Sequence, residues 1–147
     1  PQDFGAFALH GSRKPLDLGA PALCEIQAEV CLQGAAQAGL AFSTADGSEA
    51  LLYYDDASGE LVFDASKSGG AVREPVERAP FKLSNEEALR LTVYVDGCVL
   101  EIFANDRQAI SRRIYWKDLK SLRIEAFADG KTQWRVTAYE MAASNPY

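Results

Sequence analysis

Hydrophobic and polar residues alternate along much of this chain with a period of two, the spacing of half-buried β-strands. Leu23 to Leu32 sets Cys24, Ile26, Ala28, Val30 and Leu32 against Glu25, Gln27 and Glu29, as in an antiparallel strand with one face on a core and one in water. Ala38 to Thr44 is short and apolar and runs into Ala45-Asp46-Gly47-Ser48, a turn centred on Asp-Gly. Ala50 to Asp55 follows, Asp56-Ala57-Ser58-Gly59 turns the chain again, and Glu60 to Ala65 completes a meander of hairpins. Ser66 to Pro80, with Gly69-Gly70 and two prolines, is expected to be a long surface connection. Ser84 to Glu87 has the outline of a capping box, enough for one helical turn.

Leu89 to Phe103 is the clearest hairpin. With Asp96-Gly97 as a two-residue loop, Val95 pairs with Cys98, Val93 with Leu100 and Leu91 with Ile102 on the core face. Tyr94 then pairs with Val99 and Thr92 with Glu101 on the other face. Ala109 to Tyr115, Ser121 to Ala128 and Thr132 to Met141 are further strands, with Asp129-Gly130 as the turn between the last two. Nine or ten short strands without a helix of ordinary length predict an all-β fold. The expected form is a two-sheet antiparallel β-sandwich of the jelly-roll or lectin-like kind, with a closed barrel as the alternative.

Composition narrows the function. A length of 147 residues with 48% hydrophobic content suits one domain over residues 1–147 with its own core. A net charge of −6 and a pI near 4.8 repel phosphate backbones and anionic lipid, which argues against nucleic-acid and membrane-surface partners. The start, Pro1-Gln2-Asp3-Phe4, lacks the basic and apolar regions of a signal peptide and has no initiator Met, so the chain is expected to be processed or excised from a longer one. Cys24 and Cys31 would lie about 23 Å apart on opposite faces of one strand, so with Cys98 they read as three buried small hydrophobes and no disulfide framework.

Little catalytic inventory is present. The single histidine, His10, excludes two-histidine zinc motifs and reads as a loop residue at the end of the first strand. No metal site, cofactor or catalytic residue is expected. Asp55, Asp56, Asp64, Asp96 and Asp106 flank turns, where Asp caps its own backbone; a carboxylate pair for glycoside hydrolysis is the rival reading. Glu101 differs, because it sits within a strand between apolar neighbours. Its structural explanation is a salt bridge to Arg112, Arg113, Arg73 or Arg78. Its functional one is a polar clamp on a hydroxyl-rich ligand, formed by Glu101 and Arg113 with Tyr54 or Trp116 as the aromatic platform.

An ordered series of motifs then becomes informative. Gly39-Leu40-Ala41-Phe42, Asp46-Gly47-Ser48-Glu49, Tyr53-Tyr54-Asp55 and Phe63-Asp64-Ala65-Ser66-Lys67-Ser68-Gly69 lead to Leu89-Arg90-Leu91 and Val95-Asp96-Gly97-Cys98. Glu101-Ile102-Phe103-Ala104-Asn105 and Arg113-Ile114-Tyr115 close the series, which resembles the C-terminal β-sandwich module of glycoside hydrolase family 32. That family comprises invertases, inulinases and levanases, which act on β-fructosides. The chain departs from the pattern at Ala65, where the family usually has arginine, at Cys98, where it has serine, and near Arg107, where it has glycine. The resemblance implies that catalysis belongs to a five-bladed propeller, none of whose acid motifs occurs here. What it carries over is a sandwich that packs on the propeller, supports a homo-oligomer or binds fructose-containing carbohydrate. A stand-alone fructan-binding module and a small independent glycosidase are the rivals. The compartment stays open: such hydrolases are often secreted, whereas unpaired cysteines suit a reducing environment.

Overall fold

The computed structural model describes residues 1–68 and 75–141. It contains strands β1 (Gln2–Leu16), β2 (Leu23–Leu32), β3 (Gln37–Ser43), β4 (Glu49–Asp55) and β5 (Glu60–Lys67). These are followed by β6 (Val76–Pro80), β7 (Leu89–Asp96), β8 (Val99–Ala104), β9 (Gln108–Arg113), a 3₁₀ turn at Leu119–Ser121, and β10 (Arg123–Glu140). The fold is the expected antiparallel β-sandwich. One layer runs β6-β5-β4-β3 and the other β9-β8-β7-β2, and β10 joins them.

The join is the main departure from the sequence reading. Asp129-Gly130 is not a hairpin turn: β10 continues through it, pairing with β3 from Arg123 to Ala128 and with β2 from Thr132 to Glu140. β1 follows the opposite edge of β10 from Gln2↔Ala138 to Leu16↔Ile124, with a register shift between His10 and Ser12. Gly11 lies in that shift at φ 64°, a conformation that favours glycine. His10 is therefore an exposed strand residue beside a bulge, not a loop residue. The Asp129 carboxylate accepts the Ala36 and Gln37 N–H groups, both at 2.9 Å, tying the β2–β3 connection to the bend. A Cβ on Gly130 would approach the Ala35 Cα to 2.8 Å, so the turn signal here marks close packing.

The alternating strands bury one face each. Ile26, Val30, Leu40, Phe42, Leu52, Tyr54, Leu61, Phe63, Val93, Ile102 and Val136 are fully buried between the layers. Buried Thr132 donates to the Leu9 carbonyl at 3.1 Å and accepts the Trp134 indole N–H at 2.7 Å. Opposite β10, where the outer strands β6 and β9 meet, Arg112 crosses from one layer to the other. It donates to Glu77 at 3.1 Å and lies over the Phe63 ring, 5.5 Å from its centroid. Val76 to Pro80, expected as connection, is thus an edge strand, while the Gly69-Gly70 part of that connection lies outside the described residues.

Two further details differ from expectation. The β7–β8 loop is Gly97-Cys98, with Asp96↔Val99, Val95↔Leu100 and Tyr94↔Glu101 in register. Gly97 takes φ 61° at the first loop position, where type II′ turns favour glycine; the two-residue shift leaves every side chain on its expected face. Of the cysteines only Cys24 is buried, and its burial pushes the thiol up to about 11; Cys31 is exposed and Cys98 half-buried.

Ser84 and Glu87 form a single turn, not a helix. Glu87 accepts the Ser84 N–H at 2.9 Å and both arms of Arg107 at 2.8 and 3.0 Å, and Asn105 donates to it at 3.1 Å. Asn105, at φ 51°, also accepts the Arg90 N–H at 2.7 Å, so this node fastens the β6–β7 connection to the β8–β9 turn.

The Arg107 guanidinium, followed by the Ser84 N–H, lowers the Glu87 carboxyl from its ordinary 4.5 to about 2. A depressed folded value stabilises the fold fully above pH 4.5 and loses that contribution as pH falls towards 2. Thermal melts should therefore show Glu87→Gln melting below the wild type at neutral pH, with the gap closing between pH 4.5 and about 2; a constant gap would contradict this. Gly39→Ala tests the β3–β4 packing. Its Cβ would meet the Leu52 carbonyl oxygen at 1.8 Å, and we expect a loss of about 3 kcal/mol or more in denaturant unfolding.

Candidate functional site

The sandwich presents two outer faces with different chemistry. On the first layer, cross-strand register aligns Phe127, Gly39, Tyr53, Val62 and Arg78 in one row and Glu125, Ala41, Leu51, Asp64 and Val76 in the next. The Tyr53 and Phe127 rings meet edge to face at 6.2 Å across Gly39. Ala41 and Val62 point away from the interior yet have 0% exposure, because the side chains around them close over them. Burial pushes the Tyr53 hydroxyl above its ordinary range. The result is a face with an apolar centre at Leu51, Tyr53 and Phe127, with Asp64 beside it and ion pairs at its margins: Arg13 bridges Glu49 at 2.8 Å and Glu125 at 3.5 Å, and Arg78 pairs with Glu60 at 3.3 Å.

On the second layer the outward residues are mostly polar. Glu25, Gln27, Glu29, Arg90, Thr92, Arg135 and Thr137 come from three adjacent strands, β10, β2 and β7, with Tyr94, Phe103 and Tyr139 among them. Tyr94 and Phe103 stack edge to face at 6.0 Å.

The four residues expected to form a sugar clamp are divided between surface and interior. Glu101 and Arg113 share the outer face of the second layer, both exposed, with Glu101 opposite Ser111 and Arg113 opposite Val99. Tyr54 is fully buried; its hydroxyl donates to Asp56 at 3.0 Å and accepts the Leu83 N–H at 3.2 Å. Trp116 is 8% exposed and belongs to the core. Neither ring offers a face to a ligand. The expected salt bridge at Glu101 does not form among the described residues, where Arg112 pairs with Glu77 and Arg78 with Glu60; Arg73 lies outside them.

The acids mostly keep to the turn role. Asp46 accepts the Ser48 N–H at 3.1 Å, Asp55 the Ala57 N–H at 3.1 Å and Asp64 the Ser66 N–H at 2.9 Å. The two carboxylates drawn closest to one cation, Glu49 and Glu125, share Arg13 on a face margin. Among the described residues no group of three His, Cys, Asp or Glu side chains could hold a metal ion, and no helix is long and apolar enough to cross a membrane. The arrangement suits contact with another surface or ligand, and the sequence motif carrying Asn105 proves to be structural.

Comparison with known proteins agrees with this architecture. Residues 7–141 match the family model described as glycosyl hydrolases family 32 C terminal. The sucrose-6-phosphate hydrolase of Zymomonas mobilis subsp. mobilis is 33% identical over 120 residues, covering 73% of this chain and 23% of that enzyme. Among solved structures, the Aspergillus kawachii β-fructofuranosidase complexed with glycerol superposes with a TM-score of 0.77 at 19% identity, covering 99% of this chain and 29% of that one. The carbohydrate binding module CBM66 from Bacillus subtilis shares the fold with a TM-score of 0.58 at 13% identity, covering 93% of this chain and 83% of that one. The chain thus spans about a quarter of the enzymes it matches. It belongs to the C-terminal domain family of the family 32 glycosyl hydrolases.

Proposed function

We propose that this chain is a non-catalytic accessory module that packs against the catalytic domain of a β-fructosidase-like hydrolase. The observation that carries this reading is the family match over residues 7–141 in a chain spanning about a quarter of its relatives, which leaves the rest of those enzymes to hold the reaction centre. The site chemistry supports it, since the acids described above cap turns or share cations. The outer face of the first layer is the docking surface. Leu51, Tyr53 and Phe127 form an apolar area around the buried Ala41 and Val62, and a partner surface would extend that burial while Asp64 and the Arg13 and Arg78 ion pairs lie around it.

Grafting this chain in place of the matching segment of the Zymomonas mobilis enzyme tests the reading. The chimera should be soluble and hydrolytically active, while the isolated chain should hydrolyse neither sucrose nor inulin. Leu51→Asp with Tyr53→Asp should cut chimera activity or its half-life at 37 °C by about tenfold or more, yet leave the isolated chain folded by circular dichroism. Turnover by the isolated chain, or a chimera indifferent to the double substitution, would refute it.

A further inference from the structure

We propose that Asp64 determines which surface can dock on the first layer: the catalytic-domain patch that covers this face presents a basic side chain, best fitted by arginine, to the Asp64 carboxylate and the neighbouring Tyr53 hydroxyl. The inference rests on the docking reading above and adds the partner group that the face demands. Asp64 of β5 lies between Leu51 of β4 and Val76 of β6 in one outward row. Tyr53 is diagonal to it, opposite Val62 in the adjoining row. Diagonal neighbours on paired strands lie about 7 to 8 Å apart, within the span of one long side chain laid over both.

The arginines nearest the apolar centre are already engaged, Arg13 with Glu49 and Glu125, and Arg78 with Glu60. Arg123, opposite Ser43 on the same face, stands three strands from Asp64, about 14 Å away. Lys67 stands opposite Glu49, beyond a register shift. Asp64 itself forms no ion pair among the described residues. One of its oxygens accepts the Ser66 N–H at 2.9 Å and the Ser66 hydroxyl at 2.6 Å, and the other has no donor among the described residues. The Tyr53 hydroxyl makes no hydrogen bond among them either. Burial, opposed by the Arg78 charge and assisted by that of Asp64, keeps this hydroxyl protonated. Both residues are half-buried, so water can serve them in the isolated module.

Docking removes that water. An ionised carboxylate covered by an apolar surface loses more in hydration than the Ser66 contacts offset, so Asp64 rejects an uncharged patch. A basic group on the partner reverses the sign of the effect and fixes the register of docking. Arginine fits best. Its fork gives one N–H to the free oxygen of Asp64 and another to the Tyr53 hydroxyl oxygen. Its weakly hydrated plane lies readily on Leu51 and on the Tyr53 and Phe127 rings, which already meet each other edge to face.

Charge substitutions in the Zymomonas mobilis chimera test the inference. Asp64→Asn keeps an oxygen to cap the Ser66 N–H and removes only the charge, so the isolated chain should hold its melting temperature. In the chimera it should shorten the half-life at 37 °C about fivefold or more, and Asp64→Arg should shorten it further. Asp55→Asn removes charge from another turn cap and should change the half-life by less than about twofold. Mutagenesis of the catalytic domain, with selection for a restored half-life in the Asp64→Arg chimera, should return substitutions that remove an arginine or lysine. Silent Asp64 variants in a chimera still disabled by Leu51→Asp with Tyr53→Asp would overturn the inference and leave docking standing. If the double substitution is silent too, the docking reading fails and the inference with it. Suppressors confined to uncharged positions would also overturn it, as would an Arg73→Ala variant that reproduces the Asp64→Asn loss, since the cation would then belong to this chain.

Discussion

The hydrogen-bond ladder of β10 is the constraint on which both layers depend. Its first half closes β3 onto β1 and its second half closes β2 onto β1, so the two layers share one strand rather than packing only through side chains. Bending such a strand leaves backbone groups at risk of burial without partners. The Gly11 bulge absorbs the mismatch on one side. On the other, Gly130 allows Ala35 to approach, and Asp129 accepts the two N–H groups of the adjoining connection. On the opposite, open side Arg112 lies between Glu77 and the Phe63 ring. A part-buried pair of this kind contributes little net stability, so most of the cohesion comes from the apolar residues between the layers.

Filling that interior with close-packed side chains leaves function to the two outer faces. One is apolar at its centre and charged at its margins, as an interface core and rim are. The other is polar, with charged side chains held by register but not neutralised by one another.

Much of this was legible in the residues. β2, β4 and β7 to β9 follow alternation closely, since each has one face in the core, while β3, buried on both faces, is legible as a short apolar run bounded by a turn. β6 is not legible because none of its residues is fully buried and its charged Glu77 is half-exposed, held by Arg112 from a strand 35 residues away. β10 was cut in two because Asp-Gly normally signals a hairpin, and only tertiary contact with Ala35 to Gln37 reveals its other use. The burial of Tyr54 is not legible because Leu51, Leu52, Tyr53 and Tyr54 are apolar in both phases; pairing in the sheet decides that Tyr54 goes in and Tyr53 out. The row Arg135, Glu29, Arg90 spans 107 positions of sequence and exists only through strand register.

Hydroxyl-radical footprinting of the module, alone and joined to a family 32 catalytic domain, tests the central claim most directly. Oxidation of Tyr53 and Phe127 should fall several-fold on joining, while Phe103 and Tyr139 react equally in both states. Unchanged reactivity at Tyr53 and Phe127, or protection confined to Phe103 and Tyr139, would contradict the assignment of the apolar face to the partner domain.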